Sequence, residues 1–138
     1  MRRARWLWEA PSGWVDAALF GLRLWCGSLL GVHGALKLAD FATFGARLGE
    51  MGFPAPRLMA LAAVGGELGG GVLLALGLAT RAAAGAALFT MLVAAFYVHR
   101  HDPFLMKKEF ALAYAAMAAT VLVAGPGRFA LDRRLFDR

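Results

Sequence analysis

Five ionisable side chains stand inside or at the edge of long apolar runs. Arg23, His33 and Lys37 lie within Val15 to Leu38, Glu67 lies near the midpoint of Leu58 to Leu78, and Glu109 opens a run that reaches Ala124. A charge at the centre of a lipid-embedded helix costs about 2.5–3.5 kcal/mol on insertion scales, so such residues turn inward and find partners. The chemistry open to this set is proton handling. His33 hydrogen-bonds or protonates a ligand oxygen, Glu67 exchanges the proton, and Arg23 with Lys37 holds Glu67 ionised and oriented. Leu29, His33 and Leu36 also match a loose spacing associated with quinone sites, where a histidine meets a quinone carbonyl in an apolar cleft. The same residues equally suit a static ion-pair network that fixes helix register.

Depth arithmetic ties these residues together. At about 1.5 Å per residue from the face opposite the termini, Lys37 falls near ~2 Å, His33 near ~8 Å, Glu67 near ~14 Å and Arg23 near ~22 Å. Arg23 and His33 therefore bracket Glu67 and are its expected partners. Lys37 and Arg23 return within about 40° of each other on the first helix, which gives that helix one polar stripe. His99, His101 and Glu109 fall toward the same opposite face, so Arg23, His33, Lys37, Glu67 and Glu109 are expected to bound a polar pocket opening there. No metal is expected. His99 and His101, two apart on a helix, point in divergent directions, and no cysteine or acidic cluster accompanies them. With only His33 well inside a span, a bis-histidine haem held by this chain alone is also not expected.

The elements that must position these residues are membrane helices. Of 138 residues, 60% are apolar and 17% charged, which is too greasy for a domain that folds in water. Four spans are expected, at 15–38, 58–78, 82–98 and 110–124, against the ~20 residues a helix needs to cross a bilayer. Each is apolar on nearly all sides, without the alternation of a transmembrane barrel. The expected fold is an all-α integral membrane four-helix bundle, forming one domain over 1–138. The 39–57 segment mixes aromatic and charged residues at helical spacing and is read as interfacial. Gly65, Gly66, Gly69 and Gly70 form two G-x-x-x-G pairs around Glu67, so the second and third spans are expected to cross closely there; Gly27 and Gly31 form a third pair in the first span.

The net charge of +6 points to anionic lipid headgroups, since the basic residues concentrate at the termini and between apolar runs instead of forming a nucleic-acid face. The single cysteine, Cys26, excludes a disulfide scaffold. Met1-Arg2-Arg3-Ala4-Arg5 precedes apolar sequence as in a signal peptide, but the first long run is a full span and reads as a retained helix. An even number of spans puts both termini on one side. Arg2, Arg3, Arg5, Arg81, Arg128, Arg133, Arg134 and Arg138 mark that side, against Arg47, Arg57, Arg100, Lys107 and Lys108 opposite, which favours cytoplasmic termini in a bacterial or archaeal cytoplasmic membrane. Trp6, Trp8 and Trp14 suit interfacial anchoring.

Across residues 18–132 the chain resembles the DoxX family of small four-helix membrane proteins. The resemblance rests on ordered motifs: Leu22-Arg23-Leu24, His33-Gly34 with Lys37-Leu38, Gly52-Phe53-Pro54, Glu67-Leu68-Gly69-Gly70-Gly71, Gly77-Leu78-Ala79-Thr80-Arg81, Glu109 with Ala111-Leu112, and Gly125-Pro126-Gly127-Arg128 followed by Leu131-Asp132. It implies an integral membrane protein whose named relatives serve as subunits of thiosulfate:quinone oxidoreductase or of other membrane oxidoreductase assemblies. No flavin, nicotinamide or iron–sulfur signature accompanies the motifs, so no intrinsic cofactor is expected and any chemistry needs a partner. The leading reading is a membrane subunit that anchors protein partners in a redox complex and offers a quinone or proton pocket. Its rivals are a carrier for a small lipophilic or anionic solute and a purely structural subunit of a respiratory or photosynthetic assembly.

Overall fold

The computed structural model describes residues 10–136 apart from Ser12. Arg2, Arg3, Arg5, Trp6, Trp8 and Arg138, which enter the charge and anchoring readings above, lie outside the described residues. Among the described residues the main helices are α1 Trp14–Ala39, α2 Phe41–Glu50, α3 Pro56–Leu76, α4 Thr80–Val98, α5 Glu109–Ala124 and α6 Leu131–Phe136. No strand occurs among the described residues, so the chain is an all-α membrane protein. The four expected spans correspond to α1, α3, α4 and α5, with ends displaced by one or two residues. With 26, 21 and 19 residues, α1, α3 and α4 are long and apolar enough to cross a membrane. The 16 residues of α5 reach only about 24 Å of a hydrocarbon core about 30 Å thick. Exposed Phe104, Leu105 and Met106 just ahead of α5 extend its apolar surface.

The short connections have identifiable causes. Gly52, at φ +84°, turns the chain after α2, and Pro56 starts α3 at a position where its missing N–H is no loss. The α3–α4 connection contains Gly77 at φ +70°, and the carboxylate of Asp132 accepts the N–H groups of Ala79 (2.7 Å) and Thr80 (2.8 Å). Asp132 therefore caps α4 from more than fifty residues away and fastens α6 to it. The core between α4 and α5 is made of small side chains, Ala84, Ala87, Ala115 and Ala118, which let the two backbones approach.

The closest helix crossing differs from the expected one. A Cβ placed on Gly27 would stand 2.5 Å from the Gly71 carbonyl oxygen and 2.6 Å from the Ala75 nitrogen; one on Gly34 would collide with the backbone of Leu68. The tight seam thus joins α1 to α3. Gly65 and Gly69 face open space, while a Cβ on Gly66 would collide with the Thr90 hydroxyl and one on Gly70 would stand 3.5 Å from the Ala83 carbonyl oxygen, so only part of the glycine cluster serves the α3–α4 contact. Gly65 with Gly69 and Gly66 with Gly70 are offset by one residue, about 100° of rotation, so the two pairs face different directions and only the second meets α4. Around them α3 widens into a π turn over Gly65–Gly69, which holds one residue more than uniform α-helical spacing allows.

Candidate functional site

Glu67 sits in the π turn and is 1% exposed. One carboxylate oxygen, Oε1, pairs with Lys37 Nζ from α1, whereas Oε2 is buried without a hydrogen-bond partner. The ammonium of Lys37 also lies 5.3 Å from the centre of the Phe44 ring on α2. Of the cations of α1 expected around Glu67, Lys37 is the one that pairs with it, and Arg23 and His33, expected from depth, do not. The reason is axial register. Gly34 stands opposite Leu68, so Ala39 at the end of α1 lies level with residue 63, and the first seven residues of α3 extend about 10 Å beyond it. There α2 folds back and packs on α3. The depth estimate started both spans at one plane and so set Glu67 too far from Lys37.

Beside this pair lies a cavity of about 590 Å³. Its walls are mostly apolar, with Phe44, Phe53, Met59, Phe89 and Val93 among them, and Glu67, Lys37 and His33 supply polar groups. Phe89 and Leu36 line it while being 70% and 64% exposed, so the cavity reaches the outer, lipid-facing surface of the bundle. His33 is itself exposed and packs edge-on against Tyr114 of α5, with ring centres 6.0 Å apart. Asp40, His99 and Lys107, from segments that join the helices, and Arg47 of α2 add polar groups. His99 Nδ1 lies 2.7 Å from Asp102 Oδ2, and this hydrogen bond is the main cause that holds the Asp102 carboxyl below its ordinary range.

Of the residues expected at the site, His33, Lys37 and Glu67 meet around this cavity, and Arg23 and Glu109 do not. Glu109 is exposed and accepts a hydrogen bond from the Met106 N–H at 3.3 Å. Arg23, 1% exposed, points to the other end of the bundle, where Nη1 donates to the carbonyls of Ala75 (2.9 Å) and Leu74 (3.4 Å) and Nη2 to that of Phe129 (2.9 Å). Gly77 lacks the Cβ that would collide with this guanidinium. Sharing one stripe of α1 does not bring Arg23 and Lys37 together, because fourteen residues separate them by about 21 Å along the axis. Among the described residues, no group of three histidine, cysteine or acidic side chains is placed so as to hold a metal ion.

Sequence reasoning left out Thr90, Asp40 and Arg47 as lining residues, and Asp132 as a cap, whereas it places His99 toward the end where the pocket opens. Thr90 carried a signal, since a hydroxyl stands out between Phe89 and Met91, although it also bonds its own helix at the Ala86 carbonyl (2.9 Å). Asp132 carried none beyond its place in a motif.

With this geometry in view, the comparisons with known proteins are brief. Residues 18–100, more than half of the chain, match the DoxX family model. No curated protein and no solved structure matches it.

Proposed function

The chain belongs to the DoxX family and is a small integral membrane protein, and from that premise we propose that it is the membrane subunit of a redox complex, holding a lipophilic hydrogen-bonding ligand such as a quinone beside Glu67. One observation carries the reading: the unpartnered, buried Oε2 of Glu67 at an otherwise largely apolar cavity. A buried acceptor without a partner costs roughly 1–3 kcal/mol, and more if charged, unless something arrives to satisfy it. A ligand hydroxyl, or a proton shared with a ligand oxygen, does so. The outward-facing Phe89 and Leu36 suit a ligand that enters from the bilayer.

A quinone bound there supplies two-electron, two-proton chemistry, with electrons delivered by a partner subunit. The side chains of this chain handle protons and position. Lys37 neutralises Glu67 through Oε1, leaving Oε2 to accept or release a proton; His33, toward the α5 side, offers a second hydrogen-bonding group. Both termini lie in the cytoplasm in this reading. Lys37, Arg47 and Lys107 around the same cavity favour one rival, a carrier for a small anionic amphiphile.

Extraction of the native complex in mild detergent, followed by mass spectrometry of co-purified small molecules, tests the proposal. The expected result is a quinone in about one-to-one ratio, lost when Ala63→Phe fills the cavity. An acidic amphiphile in its place supports the carrier, and a folded protein with no bound molecule rejects both.

A further inference from the structure

The end of the bundle away from the cavity carries a second, independent feature. Its two described acids among the helix ends, Asp16 and Asp132, are turned into the fold. Asp16 Oδ1 accepts the Arg128 N–H at 2.9 Å, and Asp132 accepts those of Ala79 and Thr80. Asp132 also faces the buried Arg23, and among the described residues neither acid forms an ion pair with the side chain of Arg81 or Arg128. The cavity end differs, for there Asp102 faces both His99 (2.7 Å) and Lys107 (3.6 Å).

Two guanidiniums are left outward at the turn Gly125 to Arg128. Arg81, exposed at the start of α4, lies beside Gly125, with Nη2 only 3.5 Å from where a Cβ there would stand and equally 3.5 Å from the Val123 carbonyl, the outer limit of a hydrogen bond. Arg128, exposed at the other end of the turn, is held at its backbone by Asp16, stacks 5.4 Å from the Phe129 ring centre and reaches Gly13 at the start of α1. Exposed Phe129, and exposed Trp14 next to Gly13, lie on the Arg128 side of this turn, side chains of the kind that sit at headgroup level. Two forked donors beside aromatic rings, neither ion-paired to a carboxylate among the described residues, suit a phosphate that is itself at the membrane surface.

We propose that Arg81 and Arg128 bind the phosphate of an anionic phospholipid in the leaflet at this end of the bundle. Each arginine near an anionic surface contributes enough that its removal weakens binding about fivefold, and removal of both about thirtyfold. The test uses the full-length protein in detergent, with native mass spectrometry of bound phosphatidylglycerol against phosphatidylcholine. Phosphatidylglycerol is expected to bind preferentially, Arg81→Gln with Arg128→Gln to abolish the preference, and Arg57→Gln with Arg100→Gln at the opposite end to leave it intact. Equal binding of the two lipids, or an unchanged preference in the double arginine variant, overturns the proposal. Inorganic phosphate that competes fully at millimolar concentration also overturns it in favour of a free-anion site. If the double variant fails to fold, each single variant decides: a fivefold loss supports the site and an undiminished preference rejects it.

Discussion

The two ends of α1 bury charge in opposite ways. At one end Arg23 gives its guanidinium to three backbone carbonyls and lies near Asp132, which in turn caps α4. At the other, Lys37 meets a single oxygen of Glu67, and the second oxygen stays unpaired beside a cavity. The Arg23 end ties α1 to α3 and to the segment before α6, so its charge is spent on architecture. Each end keeps one buried polar atom unpaired among the described residues, Arg23 Nε and Glu67 Oε2, but only that of Glu67 belongs to a residue lining a cavity, which is what a binding or proton-exchanging site requires. Intramembrane charge is therefore not one signal but two, separated by whether the partners are backbone groups or an open space.

The sharpest way to break this contrast is Arg23→Ala. It strands several carbonyls and leaves Asp132 without its cation, so a loss of about 3–5 kcal/mol, or failure to fold, is expected. A melting temperature in detergent equal to that of the parent protein would erase the distinction between the two ends.

Glycine substitutions rank next. A leucine at Gly27 must push against the backbone of α3, for an expected cost of about 1–3 kcal/mol or more. Alanine at Gly69, which faces open space within the π turn, should be neutral or stabilise by up to about 1 kcal/mol. Thermal denaturation of the two variants side by side locates the seam; equal destabilisation would place it elsewhere.

Asp132→Asn tests the same end more gently, at about 1–2 kcal/mol for a weakened cap. Burial pushes the Asp132 carboxyl upward in pKa, but the N–H donors of Thr80 and Ala79 and the nearby Arg23 outweigh it and hold the group below its ordinary range. Its folded pKa being depressed, its contribution is fully present above the unfolded value of ~3.9 and is lost as pH falls through that value toward the folded pKa. Melting curves between neutral pH and pH 3 should show an acid limb that shrinks in Asp132→Asn.

The smallest stability effect is expected for Glu67→Gln, under about 1 kcal/mol, since the amide keeps the shape and the partly exposed Lys37 can lead its ammonium toward water. Its effect should instead fall on function, with bound ligand or turnover of the native complex lost from a folded protein. Full turnover by folded Glu67→Gln excludes Glu67 as a proton carrier, and collapse of the fold reassigns it to architecture.

The helices were legible from composition and run length, because an apolar run of bilayer length has few alternatives in lipid. The presence of His33, Lys37 and Glu67 at one site was legible from their cost of burial. Their pairing was not. It depended on how far α3 overshoots α1, which follows from α2 folding back, and on a π turn that periodicity does not announce. Arg23 was misread because its partners are carbonyls, and every residue of the sequence carries one of those.

The π turn at Gly65–Gly69 also bears on how chain length among relatives is to be read. A one-residue gap in a loop is ordinarily silent, but here the loss of a residue between Val64 and Gly70 would convert the turn to α-helix and rotate one half of α3 against the other by about 100°. The half that keeps the Gly71 seam would retain its neighbours, while the half beyond Glu67 would present a different face to the cavity. In an alignment such a gap would mark a change of site and not a tolerated deletion.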